Sequence, residues 1–265
     1  MGKRIRWIII ILLIAIFLFC AGSLVSVLNQ YKTVEQVYID SARQYTTVED
    51  SGSDEADMEE EAEPEEETVT ESAPISVDFE SLQEVNSDVA GWIYCEDTVI
   101  NYPILEGEDN DFYLHHTYEG EYSSAGSIFI EAANRPGFVD SNTVIYGHHM
   151  KDGSMFASLD KWADQEYYEE HPVMWLLTPE QDYKVVLFSG YTTSAYSDTY
   201  LVFTGPCDEF DEYLANRVEK SDFQTDVELD LDGYYVLLST CAYSFEDARY
   251  VLHGMLVPVG RQRVD

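Results

Sequence analysis

Residues 237–254 read LLSTCAYSFEDARYVLHG and place one cysteine and one arginine eight positions apart. The apolar run before Cys241 is typical of a buried β-strand, and the polar and acidic turn after it lets the next strand run back beside the first. Arg249 directly precedes that second strand, so the return brings its guanidinium next to the sulfur of Cys241. The stretch therefore predicts two antiparallel strands that carry a thiol nucleophile and a fixed positive charge.

A second strand end offers the imidazole that thiol chemistry needs. Residues 142–150 read NTVIYGHHM, an apolar run that leads into two adjacent histidines. Neighbouring side chains on an extended chain face opposite ways, so only one of His148 and His149 can easily reach the thiol. The residues alone leave that choice nearly even.

The motifs around these residues resemble those of class B sortases, the cysteine transpeptidases of Gram-positive bacteria. The matching elements are the Ser239-Thr240-Cys241 triplet, Arg249, the Tyr146-Gly147-His148 segment and, downstream, Met155-Phe156. The resemblance covers residues 76–260. It implies a mainly β fold, a sortase-type eight-stranded β-barrel with an N-terminal helix and a long helix between the sixth and seventh strands.

The resemblance also implies an activity. A membrane-anchored enzyme of this family would cleave the C-terminal sorting signal of secreted proteins and attach them to a cell-wall amine through a thioester acyl-enzyme. Its partners would be the sorting-signal peptide and the amine of a peptidoglycan cross-bridge.

Two alternatives stay open: a cysteine peptidase or L,D-transpeptidase acting on peptidoglycan peptides, and a non-enzymatic receptor on a stalk. The lack of a Ser-His-Gly-Cys element argues against the first of these.

The catalytic roles follow from the residue types and from the family pattern. Cys241 is the predicted nucleophile, because a nearby cation favours the reactive thiolate. Arg249 is predicted to stabilise the oxyanion, because a guanidinium keeps its charge at any working pH. The family places the catalytic imidazole directly after the glycine, which selects His148 as general acid and base. The residues predicted to contact the substrate are Ser239, Thr240 and Tyr196.

Six histidines suggest a metal site, but their spacing does not support one. No pair of them has the separation of a helical His-x-x-x-His motif, and adjacent histidines rarely chelate one ion together. No loop with the ligand spacing of a calcium site is recognisable. We therefore predict neither a metal nor a cofactor.

The N-terminus reads MGKRIRW and continues as an apolar run to about residue 28. Such a run is long enough to cross a bilayer core of about 30 Å. The basic residues before it hold the N-terminus in the cytoplasm by the positive-inside rule. The sequence thus predicts a single-pass membrane protein with a cytoplasmic segment 1–7, a transmembrane anchor 8–28 and an extracellular catalytic domain. A signal peptide cleaved near residues 21–23 is the rival interpretation.

An acidic segment follows the anchor. Residues 50–71 contain twelve acidic and no basic side chains, with too few apolar groups to offset the entropy of ordering. Repulsion between the charges favours an extended chain. We expect residues 29–75 to form an extracellular acidic linker, largely disordered, and residues 76–265 to form the sortase catalytic domain.

The charge of the outer domain excludes one class of partner. From residue 72 onward the chain carries 36 acidic and 9 basic residues, a net charge of −27. Such a surface repels phosphate backbones and anionic lipids. Nucleic-acid binding is therefore excluded.

Three of the four cysteines lie beyond the predicted anchor: Cys95, Cys207 and Cys241. Three thiols cannot all be paired within one chain, so at least one is free or bonds elsewhere. The spacing leaves open whether Cys95 and Cys207 form a disulfide or are simply small buried side chains.

Short runs rich in Val, Ile, Tyr and Phe predict eight strands in the outer domain. They occupy residues 92–95, 99–102, 127–130, 143–146, 173–178, 183–191, 234–241 and 250–259. Helical patterns occupy residues 77–91, 155–170 and 208–220, and the second ends at His171-Pro172 because proline cannot continue a helix. Many short strands with few helices favour a barrel or a sandwich.

Overall fold

The computed structural model describes residues 2–48 and 71–260, which fall into two compact units divided between Asp40 and Ser41. The first unit is helical: α1 spans Lys3–Tyr45, and its side chains between Trp7 and Phe19 include many large exposed apolar groups. Across the described parts of the chain, no helix combines the length and the apolar character that crossing a membrane requires.

Two short strands precede the barrel in the second unit. β1 (Thr46–Val48) directly follows α1 and pairs antiparallel with β2 (Ile75–Val77). The segment 29–75, which the sequence assigned to a linker, is thus helical as far as Tyr45 and extended in β1. The acidic residues 49–70 lie outside the described residues.

A closed barrel of eight strands forms the body of the second unit. Its strands are β3 (Val89–Tyr94), β4 (Asn101–Leu105), β5 (Ile128–Ile130), β6 (Asn142–Tyr146), β7 (Val173–Leu177), β8 (Asp182–Ser194), β9 (Tyr234–Cys241) and β10 (Ala248–Val259). They follow the order β10-β8-β7-β3-β4-β5-β6-β9 around the barrel. The prediction of a mainly β fold with an eight-stranded barrel and an N-terminal helix is confirmed.

Two neighbouring strands determine where the site lies. β6 and β9 are parallel, so their carboxyl ends meet at the same rim of the barrel. Nearly every residue of both strands is buried, as in strands that are covered on both faces. Val144 and Leu237 are fully buried and pack with Val251 of β10 in one cluster. This cluster lies below the rim at which β6 and β9 end.

The long helix α4 (Asp208–Lys220) connects β8 to β9, the sixth and seventh strands of the barrel. Its position and its bounds confirm the prediction. Acidic residues occupy its first turn and basic residues its last turn, which complements the helix dipole at both ends. Its apolar face, with Phe210 and Leu214, packs on Phe188 of β8 and Tyr235 of β9.

The other two predicted helices are shorter than their patterns indicated. α2 spans only Phe79–Val85, because Ile75–Val77 form β2 and β3 begins at Val89. The region 155–170 is a 3-10 helix at Ala157–Ala163 followed by α3 at Gln165–Glu170. The interruption occurs at Asp164, whose carboxylate accepts hydrogen bonds from the backbone N–H groups of Glu166 and Tyr167 and so starts a new helix.

Candidate active site

The β9–β10 hairpin places Cys241 and Arg249 directly opposite each other in antiparallel register. The loop between them is tight: the N–H of Ala242 donates to the carbonyl oxygen of Ala248 at 2.9 Å. Asp247 has a φ of 57°, in the left-handed region that aspartate tolerates better than most residues and that lets the chain reverse. The hairpin alone therefore brings the guanidinium to the side of the thiol.

The parallel pairing of β6 with β9 adds the imidazole. Tyr146 lies opposite Ser239, and the N–H of Gly147 donates to the carbonyl oxygen of Ser239 at 3.1 Å. Two residues further along each chain, this register brings His148 beside Cys241. Three chain segments thus meet at one rim.

A cavity of about 430 Å³ opens at this rim, and Cys241, His148 and Arg249 all line it. Cys241 is partly exposed, so its sulfur is accessible from the cavity. Nε2 of His148 donates to the carbonyl oxygen of Leu114 at 2.9 Å, which fixes the plane of the ring. The structure therefore gathers the three residues that the sequence singled out into a single concave site.

His148 and His149 face different spaces, as their adjacency predicts. His149 lines a second cavity, where its ring meets that of Tyr243 edge to face at 5.2 Å between centroids. His148 is absent from the lining of that second cavity, and His149 is absent from the lining of the first. Of these two histidines, His148 is the one that lines the cavity of Cys241.

Gly147 is the residue that allows β6 to deliver His148 to the rim. A Cβ at this position would lie 2.5 Å from Cδ1 of Ile128 and 2.6 Å from the ring of Phe156. The N–H of Phe156 also donates to the carbonyl oxygen of His148 at 3.0 Å. The downstream Met155-Phe156 element therefore holds the histidine segment by packing and by a backbone hydrogen bond.

We expect Gly147→Ala to destabilise the fold by ~1–3 kcal/mol, because the added methyl group overpacks Ile128 and Phe156. Turnover should fall as well, since relief of the clash moves His148. Thermal unfolding and peptide cleavage would measure both effects. Gly205→Ala is the matched control, because a Cβ at Gly205 meets nothing within 4 Å. Equal stability of the two variants would contradict this account of Gly147.

Arg249 has hydrogen-bond donors that no group among the described residues accepts. Its Nη1 donates to the carbonyl oxygen of the adjacent Ala248 at 3.0 Å, and none of the ion pairs among the described residues includes it. The neighbouring phenols do not neutralise it: burial raises the pKa of Tyr200 to about 12, although Arg249 lowers it, and burial raises the pKa of Tyr146 too. A guanidinium that lines the cavity without a direct ion pair can donate hydrogen bonds to an anionic group of a substrate.

The predicted substrate contacts lie in different places. Ser239 and Thr240 line the cavity, and the Ser239 hydroxyl forms a hydrogen bond with the Tyr200 hydroxyl at 2.8 Å. Tyr196 is 84% exposed on the loop after β8 and does not line this cavity, whereas Tyr200 does. Both tyrosines belong to the Tyr-rich run 191–200, and the sequence does not distinguish between them.

Sequence reasoning missed a polar cluster in the lining of the cavity. Glu131 lines the cavity, and its Oε2 accepts a hydrogen bond from the Tyr146 hydroxyl at 2.8 Å. Its Oε1 accepts from Nδ2 of Asn110 at 2.7 Å. The position of Glu131, directly after the third predicted strand, was the one available signal for it.

The other thiols have no such surroundings. All four cysteines are free, so Cys95 and Cys207 are not joined. Burial raises the pKa of Cys95 to about 12, which disfavours its thiolate. Cys207 is exposed at the start of α4. Within the described ranges, no group of three or more His, Cys, Asp or Glu is arranged to hold a metal ion.

An eight-stranded barrel with a cysteine, a histidine and an arginine around one rim cavity defines a sortase, a class of cysteine transpeptidases. Comparison with known proteins agrees: residues 93–257 match the family described as Sortase domain. The chain is 39% identical to sortase B of Listeria monocytogenes over 184 residues, which cover 68% of this chain and 74% of that protein. It belongs to the sortase B family.

Solved structures show the same relationship. The chain superimposes on the sortase B–substrate complex of Staphylococcus aureus with a TM-score of 0.65 and 30% identity, covering 69% of this chain and 85% of that one. It superimposes on a sortase B complexed with triglycine with a TM-score of 0.64 and 33% identity, covering 69% and 86%. The protein is therefore a sortase B-type cysteine transpeptidase, an enzyme of the cell envelope.

Proposed function

We propose that this enzyme cleaves the C-terminal sorting signal of secreted proteins and joins the new carboxyl end to the amine of a peptidoglycan cross-bridge. The observation that carries the proposal is the meeting of Cys241, His148 and Arg249 around one open cavity. Similar sortase B enzymes have been solved with a substrate and with triglycine, a peptide that begins with a free amine. Donor and acceptor peptides are thus the substrates to expect.

In the first half-reaction the Cys241 thiolate attacks the carbonyl carbon before the scissile bond. Negative charge then develops on the carbonyl oxygen, where the free donors of Arg249 stabilise it. Protonated His148 gives its proton to the departing amine as the C–N bond breaks. The products are a thioester on Cys241, the released C-terminal fragment and a neutral imidazole.

In the second half-reaction the acceptor amine attacks the thioester carbon. The amine gives its proton to His148, the C–S bond breaks, and the thiolate of Cys241 is restored. The new amide joins the secreted protein to the acceptor. The cycle ends with thiolate and imidazolium, so no external acid, base or cofactor is consumed.

Product analysis tests this function. Purified enzyme is incubated with peptides carrying candidate sorting signals, with and without triglycine, and the products are identified by mass spectrometry. We expect a mass that corresponds to the amide of triglycine when the acceptor is present. Water as the sole acceptor under both conditions would favour a cell-wall cysteine peptidase, and no cleavage of any sorting signal would favour an L,D-transpeptidase that acts on peptidoglycan peptides.

Arg249→Lys should lower kcat/KM by ~10²–10³, because a lysine retains the charge but cannot offer two parallel donors to the oxyanion. Steady-state kinetics with a cleavable signal peptide measures the loss, and circular dichroism checks the fold. Arg135→Lys is the control, since Arg135 pairs with Asp140 and does not line the cavity. Full activity of Arg249→Lys would refute the oxyanion role.

We also propose that the apolar run 8–28 anchors the enzyme in the cell membrane by a single pass, with the N-terminus in the cytoplasm and the catalytic domain outside. The support is the apolar run that follows Lys3, Arg4 and Arg6, together with its exposed large apolar side chains. Fractionation of cells expressing the full chain, followed by protease treatment of intact protoplasts, tests it. Recovery of the enzyme in the soluble fraction would overturn the anchor.

A further inference from the structure

An arginine of α4 is buried close to the active-site cavity. The side chain of Arg217 is only 1% exposed, although arginine is among the residues that are rarely buried unless paired. Its Nη2 donates to Oδ2 of Asp198 at 3.1 Å, and its Nη1 donates to Oγ1 of Thr199 at 2.9 Å. The guanidinium also lies over the ring of Tyr213, 4.4 Å from the centroid. This arginine therefore joins α4 to the short 3-10 turn Asp198–Tyr200.

The middle residue of that turn is held from several sides. Thr199 is fully buried, and its carbonyl oxygen accepts a hydrogen bond from the Tyr213 hydroxyl at 2.8 Å. Its own hydroxyl pairs with the Tyr191 hydroxyl at 3.0 Å in addition to Arg217. These contacts come from α4 on one side and β8 on the other. The turn has little freedom while they persist.

The last residue of the turn forms a wall of the catalytic cavity. The Tyr200 hydroxyl forms a hydrogen bond with that of Ser239, two residues before the nucleophile Cys241. The Tyr200 ring also stacks on Tyr146, with 6.2 Å between the ring centroids. Any movement of the turn therefore changes the shape of the space in which a peptide would lie.

The contact between Arg217 and Asp198 depends on their opposite charges. A buried guanidinium that loses its carboxylate partner is left with an uncompensated charge, so Arg217 and Asp198 depend on each other. The hydrogen bond from Arg217 is the main reason that the pKa of Asp198 lies below its usual value. Asp198 itself is 59% exposed and has a second, longer ion pair with Lys220 at 3.6 Å. Asp198 can therefore be changed without opening the core.

We propose that Arg217 and Asp198 form a latch that positions Tyr200 and thereby sets the affinity of the cavity for the peptide substrate. The two are positioning residues, because neither lines the cavity. The inference rests on the proposed function in one respect, since it takes the cavity to be the peptide site. It gives the long helix between the sixth and seventh strands a specific task in substrate binding.

Kinetics of Asp198→Asn and Arg217→Lys test the latch. We expect KM for a cleavable signal peptide to rise about tenfold in each variant, with kcat changed by less than about twofold, because binding is impaired while the catalytic residues stay in place. Lys220→Ala is the matched control: it removes the exposed partner of Asp198 and should leave KM unchanged. Unchanged KM in both latch variants would overturn the proposal.

A merely structural role of Arg217 would give another pattern. It would lower the melting temperature and the fraction of active enzyme, and the folded remainder would keep the wild-type KM. Asp198→Asn is the decisive variant here, because it removes the charge of the carboxylate while this side chain, which is 59% exposed, leaves the packing of the core unchanged. Wild-type KM together with reduced stability in this variant would overturn the latch.

A second measurement needs no turnover and so separates the latch from the proposed function. The N–H groups of Tyr200 and Leu201 donate within the turn, to Ser197 and Asp198. We expect amide hydrogen exchange at these two positions to be about tenfold faster in Asp198→Asn and in Arg217→Lys than in the wild type and in Lys220→Ala. Unaltered exchange would overturn the latch even if the enzyme cleaved no sorting peptide.

Discussion

Replacement of Cys241 by alanine should abolish thioester formation and lower turnover by at least ~10⁴-fold, because the only thiol in the cavity is lost and water or an amine must then attack the peptide bond directly. The fold should survive, since Cys241 lies at the partly exposed end of β9. Intact-mass analysis after mixing with a signal peptide detects the acyl-enzyme. We expect the adduct in the wild type and none in the variant.

Cys207→Ala is the matched control for this experiment. Cys207 is also a free, exposed thiol, and as the residue that precedes α4 it makes no side-chain capping hydrogen bond. This variant should acylate and turn over like the wild type. Persistence of the adduct in Cys241→Ala, or its loss in Cys207→Ala, would move the nucleophile to another position.

The two adjacent histidines allow an equally sharp test. His148→Ala should lower kcat/KM by ~10²–10⁴, because the leaving amine then has no proton donor and the incoming amine has no base. His149→Ala should stay within about threefold of the wild type, because its ring lines the neighbouring cavity beside Tyr243. Both variants are measured with the same signal peptide, and thermal unfolding verifies that each is folded.

The reverse outcome, an inactive His149→Ala and an active His148→Ala, would reassign the imidazole. Two active variants would remove histidine from the mechanism. The pair is informative because the substitutions are chemically identical and adjacent in the chain. They differ in the cavity that each side chain lines.

Local patterns predicted the barrel well. The eight strand segments, the break at Pro172 and the bounds of α4 all depend on apolar periodicity, turn residues and charges near the helix ends. These signals lie within a few residues of the element that they describe. The family resemblance supplied the closure of the strands into a barrel, which such patterns cannot distinguish from a sandwich.

Local patterns predicted the helices less well where two structures compete for one segment. The apolar spacing over residues 77–91 predicted one helix. The pairing of β2 with β1 and of β3 with β4 places both ends of this segment in strands instead. The helical pattern of residues 155–170 runs across Asp164 without a break. The side chain of Asp164 caps a new helix at that point, so the segment forms two helices. Strand pairing and capping are contacts that a window of hydrophobicity does not contain.

The sequence by itself determined that a cysteine ends one strand, that an arginine directly precedes the next, and that a glycine precedes a histidine at the end of a third. Turn chemistry and strand periodicity are local properties of the chain, and they were enough for this. Only the tertiary structure decided that the parallel pairing of β6 with β9 brings His148 to Cys241, and that Tyr200 rather than Tyr196 lines the cavity. Register between distant strands and burial of a turn under α4 depend on packing across the whole barrel, which no short stretch of sequence encodes.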